Sequence, residues 1–349
     1  MQAPAAMADS PRGPGSTRRG LSSNADSAYQ SMMVAANMPN PLSDPPGLGA
    51  LVLGGGPGGS SAATFLARAG RRVLLLEREH FPRFHIGESP PPYNRPRSTE
   101  LGVLEKLEAA GFVRKHGAQF HLGNGSKGTK FVFARGAFTR EPEGWQVERA
   151  RFDDLLLRHA ATSGVEVREG WTATRFRMAG GAVEVDAEAG TGERATFRAA
   201  FLIDATGRAN LTGNQEGLRE IHPRLRKLAV FGHFRGVRLD AGPEGGDTVI
   251  VRLENKWFWL IPLGAEKTSV GCVLDRDEFA AAKEPPEAVF WRLVGASPVM
   301  RERMAQAQAV SPVHVTSDFS YKNRRLASPR LLRVGDAAGF MDPIFSAGV

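Results

Sequence analysis

Apolar and polar positions alternate in several rhythms along this chain, and the changes of rhythm mark its parts. Residues 1–47 show no sustained rhythm; rich in Ala, Ser, Pro, Gly and Asn, they read as a disordered leader. A short apolar run, Ala50 to Leu53, then meets a glycine cluster. A helical pattern follows from about Gly58 to Ala69, closed by Gly70, and a second apolar run covers Val73 to Leu76. Apolar runs on both sides of a helix describe buried strands, so this is a βαβ opening. LEKLEAAGFVRKHG predicts a helix ending at Gly111, and VERARFDDLLLRHAATSG a strand end followed by an amphipathic helix. VEVREGWTATRFRMAGGAVEVDA predicts two or three short strands, and ATFRAAFLIDATGR a strand pair. From about Gly232 to Asp275 period two takes over in VFGHFRGV, DTVIVRL, KWFWLIPL and TSVGCVL. A helix-rich patch covers Pro285 to Ala309, and the chain returns through RLLRVGDAAGF to a strand and a glycine turn.

Helix–strand alternation at both ends thus brackets a strand-rich middle. That order predicts a nucleotide-binding domain assembled from separated segments, with a second domain inserted. Within the middle, KWFWLIPL places two of only five tryptophans two positions apart. In an extended strand Trp257 and Trp259 share one face, while Phe258 and Leu260 take the other. The pattern alone fits either a wall beside a site or the filling of a sheet–sheet core.

Charge narrows the partners. The 45 basic residues against 37 acidic ones leave a net charge of +8, which favours an anionic ligand or acidic partner. Basic runs with interleaved aromatics are missing, which argues against nucleic acid. The single cysteine, Cys272, excludes an internal disulfide and a Cys-rich metal site, and it lies in a β-like run as a buried, inert thiol. The histidines show no ligand spacing, so no metal is expected. No apolar run approaches the roughly 20 residues of a membrane span. Arg18-Arg19 is not followed by a long apolar segment, so the expectation is a soluble, cytoplasmic protein.

Three turns carry the chemistry. GGGPGG sets Gly54, Gly56 and Gly59 in G-x-G-x-x-G spacing, between a strand and a helix. The first glycine permits a tight turn, the second admits a pyrophosphate, and the third lets helix and strand pack closely. Glu77 ends the second strand 18 residues after Gly59, placed to accept hydrogen bonds from ribose hydroxyls. FLIDATGR ends a strand at Asp204-Ala205-Thr206-Gly207, and LLRVGDAAGF ends another at Gly335-Asp336. A nicotinamide enzyme needs neither. In this order the three motifs resemble the FAD-dependent monooxygenase-type flavoproteins. There the acid matching Asp336 holds the ribityl chain, and the turn of Asp204 and Gly207 lies by the diphosphate.

Four further stretches, FPRFHIGESPPP, GFVRKHGAQF, WFWLIP and GDAAGFMDPIFSAGV, resemble the flavin-dependent halogenases, from about residue 49 to the end. The resemblance implies an α/β fold, an FAD-binding Rossmann-like, three-layer domain with an inserted antiparallel β-sheet substrate domain. Its bounds would be 48–213 for the FAD-binding domain, with an insert at about 90–145, then 214–316 for the substrate domain and 317–349 for the return. It implies catalytic roles for Trp257 and Trp259, which would keep substrate from the flavin, and for Lys115, which would receive hypochlorous acid formed there. On sequence alone Arg114 and His116 are alternatives to Lys115. Glu88 and Ser89 fall in the loop that straps the flavin, and Arg149 at a position near the cofactor. Ala347 and Gly348 would bind chloride through backbone N–H groups.

A glutamate of the tryptophan halogenases is replaced by Phe345, so the resemblance points to a phenolic or pyrrolic ring, free or tethered to an acyl or peptidyl carrier protein. A second G-x-G-x-x-G for NADPH is missing, so a separate flavin reductase would supply FADH2. Alternatives are an FAD monooxygenase, a geranylgeranyl-reductase-like flavoprotein, or an incomplete, non-catalytic FAD-binding module. Relatives continue through a helix and a further helical region, so the chain stopping at Val349 reads as lacking its C-terminal helical region.

Overall fold

The computed structural model describes residues 47–136, 141–223, 225–317, 320–342 and 344. Its first sheet places the strand Leu48–Leu53 between two parallel neighbours, Val73–Glu77 and Arg194–Asp204. Leu331–Arg333 and Glu166–Glu169 extend the parallel set outward on either side. The register aligns Leu53 with Leu76 and with Asp204, and Asp204 with Arg333. All the strands therefore end at one edge, and the three glycine turns emerge there side by side. The carboxyl edge of a parallel sheet is where such folds bind ligands.

Both faces of this sheet are covered, which is why its strands read as unbroken apolar runs. Ala50, Val52, Val73 and Leu75 pack under the helices Pro57–Arg68 and Arg149–Thr162, through Ala63, Leu157 and Ala160. Leu51, Leu53, Leu74 and Leu76 pack on the other face against the hairpin Trp171–Ala189, through Phe176, Val183 and Val185. Helices, sheet and hairpin make three layers. ATFRAAFLIDATGR, expected as a strand pair, is instead one 11-residue strand, Arg194–Asp204. Its first half pairs antiparallel with Ala182–Ala189 and its second half parallel with Leu48–Leu53. Alternation in the first half and a continuous apolar run in the second give the segment two periods, which sequence reading divides at the join.

The second sheet runs in the order 227–235, 267–275, 256–264, 248–253, 117–122, 128–132. Its expected antiparallel pairing fails at one place: Gly117–Leu122 lies parallel to Thr248–Leu253, with Ile250 beside Phe120. That strand comes from the earlier segment and not through a hairpin, so its direction is free of the hairpin's constraint. One face of the sheet, carrying Val230, Phe258, Leu260 and Cys272, packs on Val289, Phe290, Leu293, Met300 and Met304 of the helices Pro286–Gly295 and Pro298–Met304. Burial there pushes the Cys272 thiol far up, as suits a packing residue. The opposite face carries Ala229, Phe231, Ile250, Trp259 and Ile261. Among the described residues no helix is long and apolar enough to cross a membrane, and no cluster of His, Cys, Asp and Glu could hold a metal.

Phe290 is fully buried, stacks on Phe234 at 5.2 Å between ring centres and meets Phe258 edge-on. Phe290→Ala should cost about 3–5 kcal/mol, read as a lowered urea midpoint.

Candidate functional site

A cleft of about 450 Å³ runs along the carboxyl edge of the first sheet and under the aromatic face of the second. Its floor is built by glycines. Gly54 has φ +102°, and a Cβ there would lie 2.3 Å from the Ala205 carbonyl oxygen. A Cβ on Gly59 would lie 1.9 Å from the Gly54 oxygen, so only glycine lets the helix start against the strand end. Gly56 differs: its nearest atom would be Arg83 Nη2, at 3.6 Å. The second glycine is thus not required by protein contacts; it leaves bare backbone facing the cleft, at the helix N-terminus where an anion is favoured.

The acids divide into two kinds. Glu77 borders the cleft while its carboxylate accepts from Gly55 N at 2.6 Å and from Glu79 N at 2.9 Å, which pins the glycine loop. Asp336 borders it with Oδ1 buried and without a hydrogen-bond partner among the described residues. Burial pushes its carboxyl up to about 6, against the opposing fields of Arg149 and Arg208. An orphan acceptor at this point suits the hydroxyl donors of a ribityl chain. Asp204 corrects the expectation of a cofactor contact: it is fully buried and absent from the cleft wall. Oδ1 accepts from Thr206 N and Oγ1, and Oδ2 from Thr212 N and Oγ1, so the carboxylate shapes the turn that presents Gly207. Gly207 and Gly335, with φ +59° and +58°, both reach the cleft.

The strap Phe81–Pro92 closes one side. Asp153, fully buried, binds Arg83 at 2.8 Å and takes Arg149 through both carboxylate oxygens, at 2.7 and 2.9 Å. Arg149 Nη1 donates to Ile86 O at 2.7 Å. Arg149 lines the cleft, yet its donors are committed to Asp153 and, through Nη1, to the strap carbonyls of Ile86 and Gly87, so in this structure it ties that loop to its own helix. Sequence reading missed Asp153, although an Arg and an Asp four apart on one helix were a usable signal. His85 belongs to the same strap, and burial followed by the fields of Arg149 and Arg83 lowers it to about 4, so its ring is neutral near pH 7. Glu88 also borders the cleft and meets His233 Nε2 at 2.7 Å through Oε1, a pairing 145 residues apart that no motif announced.

Trp257 and Trp259 both line the cleft, their ring centres 6.0 Å apart. Trp259 Nε1 donates to Ser269 Oγ at 3.1 Å, and its ring lies over Gly271, where a Cβ would come within 2.4 Å of it. Gly271 was overlooked in TSVGCVL, since only the facing strand reveals why the side chain must be missing.

Lys115 is 4% exposed and stands behind the cleft wall. Its Nζ donates to Ser89 O at 3.0 Å, Ser89 Oγ at 2.8 Å and Pro90 O at 2.8 Å. Burial lowers it to about 7, with Asp247 opposing. The alternatives face outward: Arg114 pairs with Glu108 and Glu143 at the surface, and the His116 side chain is 40% exposed. Ala347, Gly348 and Phe345 lie outside the described residues.

The family model described as FAD-binding domain matches residues 48–349. The chain is 35% identical to the tryptophan 2-halogenase of Chondromyces crocatus, over 86% of this chain and 58% of that protein. It is 32% identical to the 1H-pyrrole-2-carbonyl-(peptidyl-carrier protein) chlorinase of Pseudomonas fluorescens, over 86% and 72%. Among solved structures, the myxobacterial chondrochloren halogenase superposes with a TM-score of 0.81 at 34% identity, covering 87% of this chain and 71% of that one.

Two glycines of the tryptophan sheet make a controlled pair. Gly271→Ala must displace the Trp259 ring, costing about 1–3 kcal/mol and shifting tryptophan fluorescence. Gly264→Ala, with nothing within 4 Å of the new methyl, should stay within about 0.5 kcal/mol of the parent and leave the spectrum unchanged.

Proposed function

The chain belongs to the flavin-dependent halogenases, and we propose that it chlorinates an electron-rich aromatic ring, phenolic or pyrrolic, with FADH2 delivered by a separate flavin reductase. The observation that carries this reading is the meeting of three groups at one cleft: glycine turns suited to a dinucleotide, two indoles on the wall, and a buried amine one hydrogen bond behind Ser89, another wall residue. A monooxygenase brings its substrate to the flavin, and a wall of indoles opposes that. A halogenase needs only a small oxidant to cross.

The residues fit FAD. Bare backbone at Gly56 suits the diphosphate, and the unpartnered Asp336 oxygen suits the ribityl hydroxyls. Bound and reduced, FAD supplies the electrons with which oxygen converts chloride to hypochlorous acid. This chain's own residues do the rest. Trp257 and Trp259 exclude the ring of the substrate, and the Arg149–Asp153–Arg83 cluster holds the strap in place. Lys115 meets the oxidant: depressed to about 7, it is substantially neutral near neutral pH, and a neutral amine is nucleophilic toward electrophilic chlorine. Ala347 and Gly348 are proposed for the halide. The relative from Pseudomonas fluorescens acts on a pyrrole held by a peptidyl carrier protein, and the net +8 of this chain suits an acidic carrier as the form in which its substrate arrives.

The test supplies FAD, NADH, a flavin reductase and chloride or bromide with a panel of phenols and pyrroles, free and carrier-bound. Mass spectra should show halogen isotope doublets; hydroxylated products without halogen would overturn the reading. Lys115→Ala should lose at least ~10²-fold in halogenation while still binding FAD. In single turnovers the rate should rise with pH through about 7, because the amine form grows as pH passes that value.

A further inference from the structure

Ser89 and Thr248 both border the cleft, whereas Lys115, one hydrogen bond away from Ser89, does not. Ser89 Oγ lies 2.8 Å from Lys115 Nζ and 2.7 Å from Thr248 Oγ1, and Thr248 Oγ1 lies 3.0 Å from Gln146 Nε2. The two hydroxyls form an unbroken path from the buried amine to the cleft wall.

The direction of each hydrogen bond follows from counting donors. Gln146 is fully buried, and its Nε2 also donates to Gly246 O at 3.0 Å. A carbonyl can only accept, so the amide nitrogen is fixed there and Gln146 donates to Thr248. When Lys115 is an ammonium, its three N–H groups satisfy the two carbonyls and Ser89 Oγ. Ser89 then donates to Thr248, which already accepts from Gln146, and the Thr248 proton is left to point into the cleft. When Lys115 is an amine, two N–H groups serve the carbonyls and the nitrogen lone pair accepts from Ser89. Ser89 then accepts from Thr248, every partner is used, and the cleft is offered no donor. The lysine's protonation and the Thr248 donor are one variable.

We propose that Ser89 and Thr248 are positioning residues that form a two-hydroxyl proton relay between Lys115 and a basic oxygen atom in the cleft. The step balances without an added reagent. An Nζ–H bond breaks and Ser89 Oγ gains that proton; Ser89 passes its own to Thr248; Thr248 passes its own to the oxygen acceptor. Both hydroxyls end as they began, the acceptor is protonated, and Lys115 becomes the neutral amine. The relay rests on the proposed function in this respect: it converts Lys115 to its nucleophilic form when oxygen chemistry in the cleft generates a base. Strap, sheet and Phe133 present carbonyls, hydroxyls and a ring to Lys115, and the charged group facing it is Asp247, in the turn before Thr248.

The test reads Lys115 directly. Protein carrying lysine labelled with 13C at Cε is titrated by NMR with and without oxidised FAD, the Lys115 signal being assigned by its loss in Lys115→Arg. Bound FAD would bring carbonyl acceptors into the cleft that Thr248 borders, so it should raise the ammonium-to-amine ratio of Lys115 near pH 7 by roughly threefold or more. Thr248→Ser should keep that increase. Thr248→Val and Ser89→Ala should lose more than half of it while circular dichroism and FAD affinity show them folded and loaded. An equal FAD effect in wild type and Thr248→Val, or none in wild type, would overturn the relay. Failure of the halogenation reading is separate: it would appear as hydroxylated products without halogen while the NMR coupling stands.

Discussion

A strand has two faces, and in Lys256–Gly264 they face different surroundings. Phe258 and Leu260 enter the core formed with the helices Pro286–Gly295 and Pro298–Met304, which fixes the strand's height and rotation. The alternation of a β-strand then leaves Trp257, Trp259 and Ile261 no choice but the opposite side, over the cleft. Burial on one face therefore sets the position of the indoles on the other. Gly271 is needed for the same reason: with the strand height fixed from behind, the Trp259 ring has room only where its neighbour lacks a side chain. The aromatic wall is rigid because it is the reverse of a packed core.

The first sheet applies a comparable constraint to the cofactor side. Parallel register brings Leu53, Glu77, Asp204 and Arg333 to one edge, so turns separated by about 150 and 280 residues in sequence share one floor. Between this edge and the tryptophan sheet lies the strap, and its hold is electrostatic. A fully buried Asp153 is tolerable because two guanidinium groups satisfy it, and removing either would leave a buried charge short of a partner. One of them, Arg149, also donates to the strap's own carbonyls, which ties the loop to the helix Arg149–Thr162. Glu88 ties the same loop to His233 on the second sheet.

How much of this could be read from residues alone follows from the range of the interactions. The βαβ opening, the three glycine turns and the two-faced tryptophan strand rest on neighbours within a few positions, and all were legible. Asp204 was misjudged because a short acid after an apolar strand looks the same whether it faces a ligand or caps its own turn; only Thr206 and Thr212 folding back decide. The parallel pairing of Gly117–Leu122 was hidden because pairing direction depends on the route of the chain and not on side-chain period. Asp153, His233 and Gly271 matter through partners 70, 145 and 12 residues away. Arg114, Lys115 and His116 are three consecutive basic residues on paper, and only the fold separates two outward-facing groups from one buried amine.

That burial is itself an argument about function. An ammonium removed from water carries a desolvation penalty, and among the described residues Lys115 meets three neutral acceptors and no salt-bridge partner, with Asp247 acting only through its field. A group needed merely to pin Ser89 and Pro90 could be a neutral donor at lower cost. A lysine with its amine near its midpoint at neutral pH is the arrangement that serves a change of protonation during use. The geometry adds the direction of that change, since the hydroxyls of Ser89 and Thr248 lead to the cleft while the remaining acceptors lead into the strap.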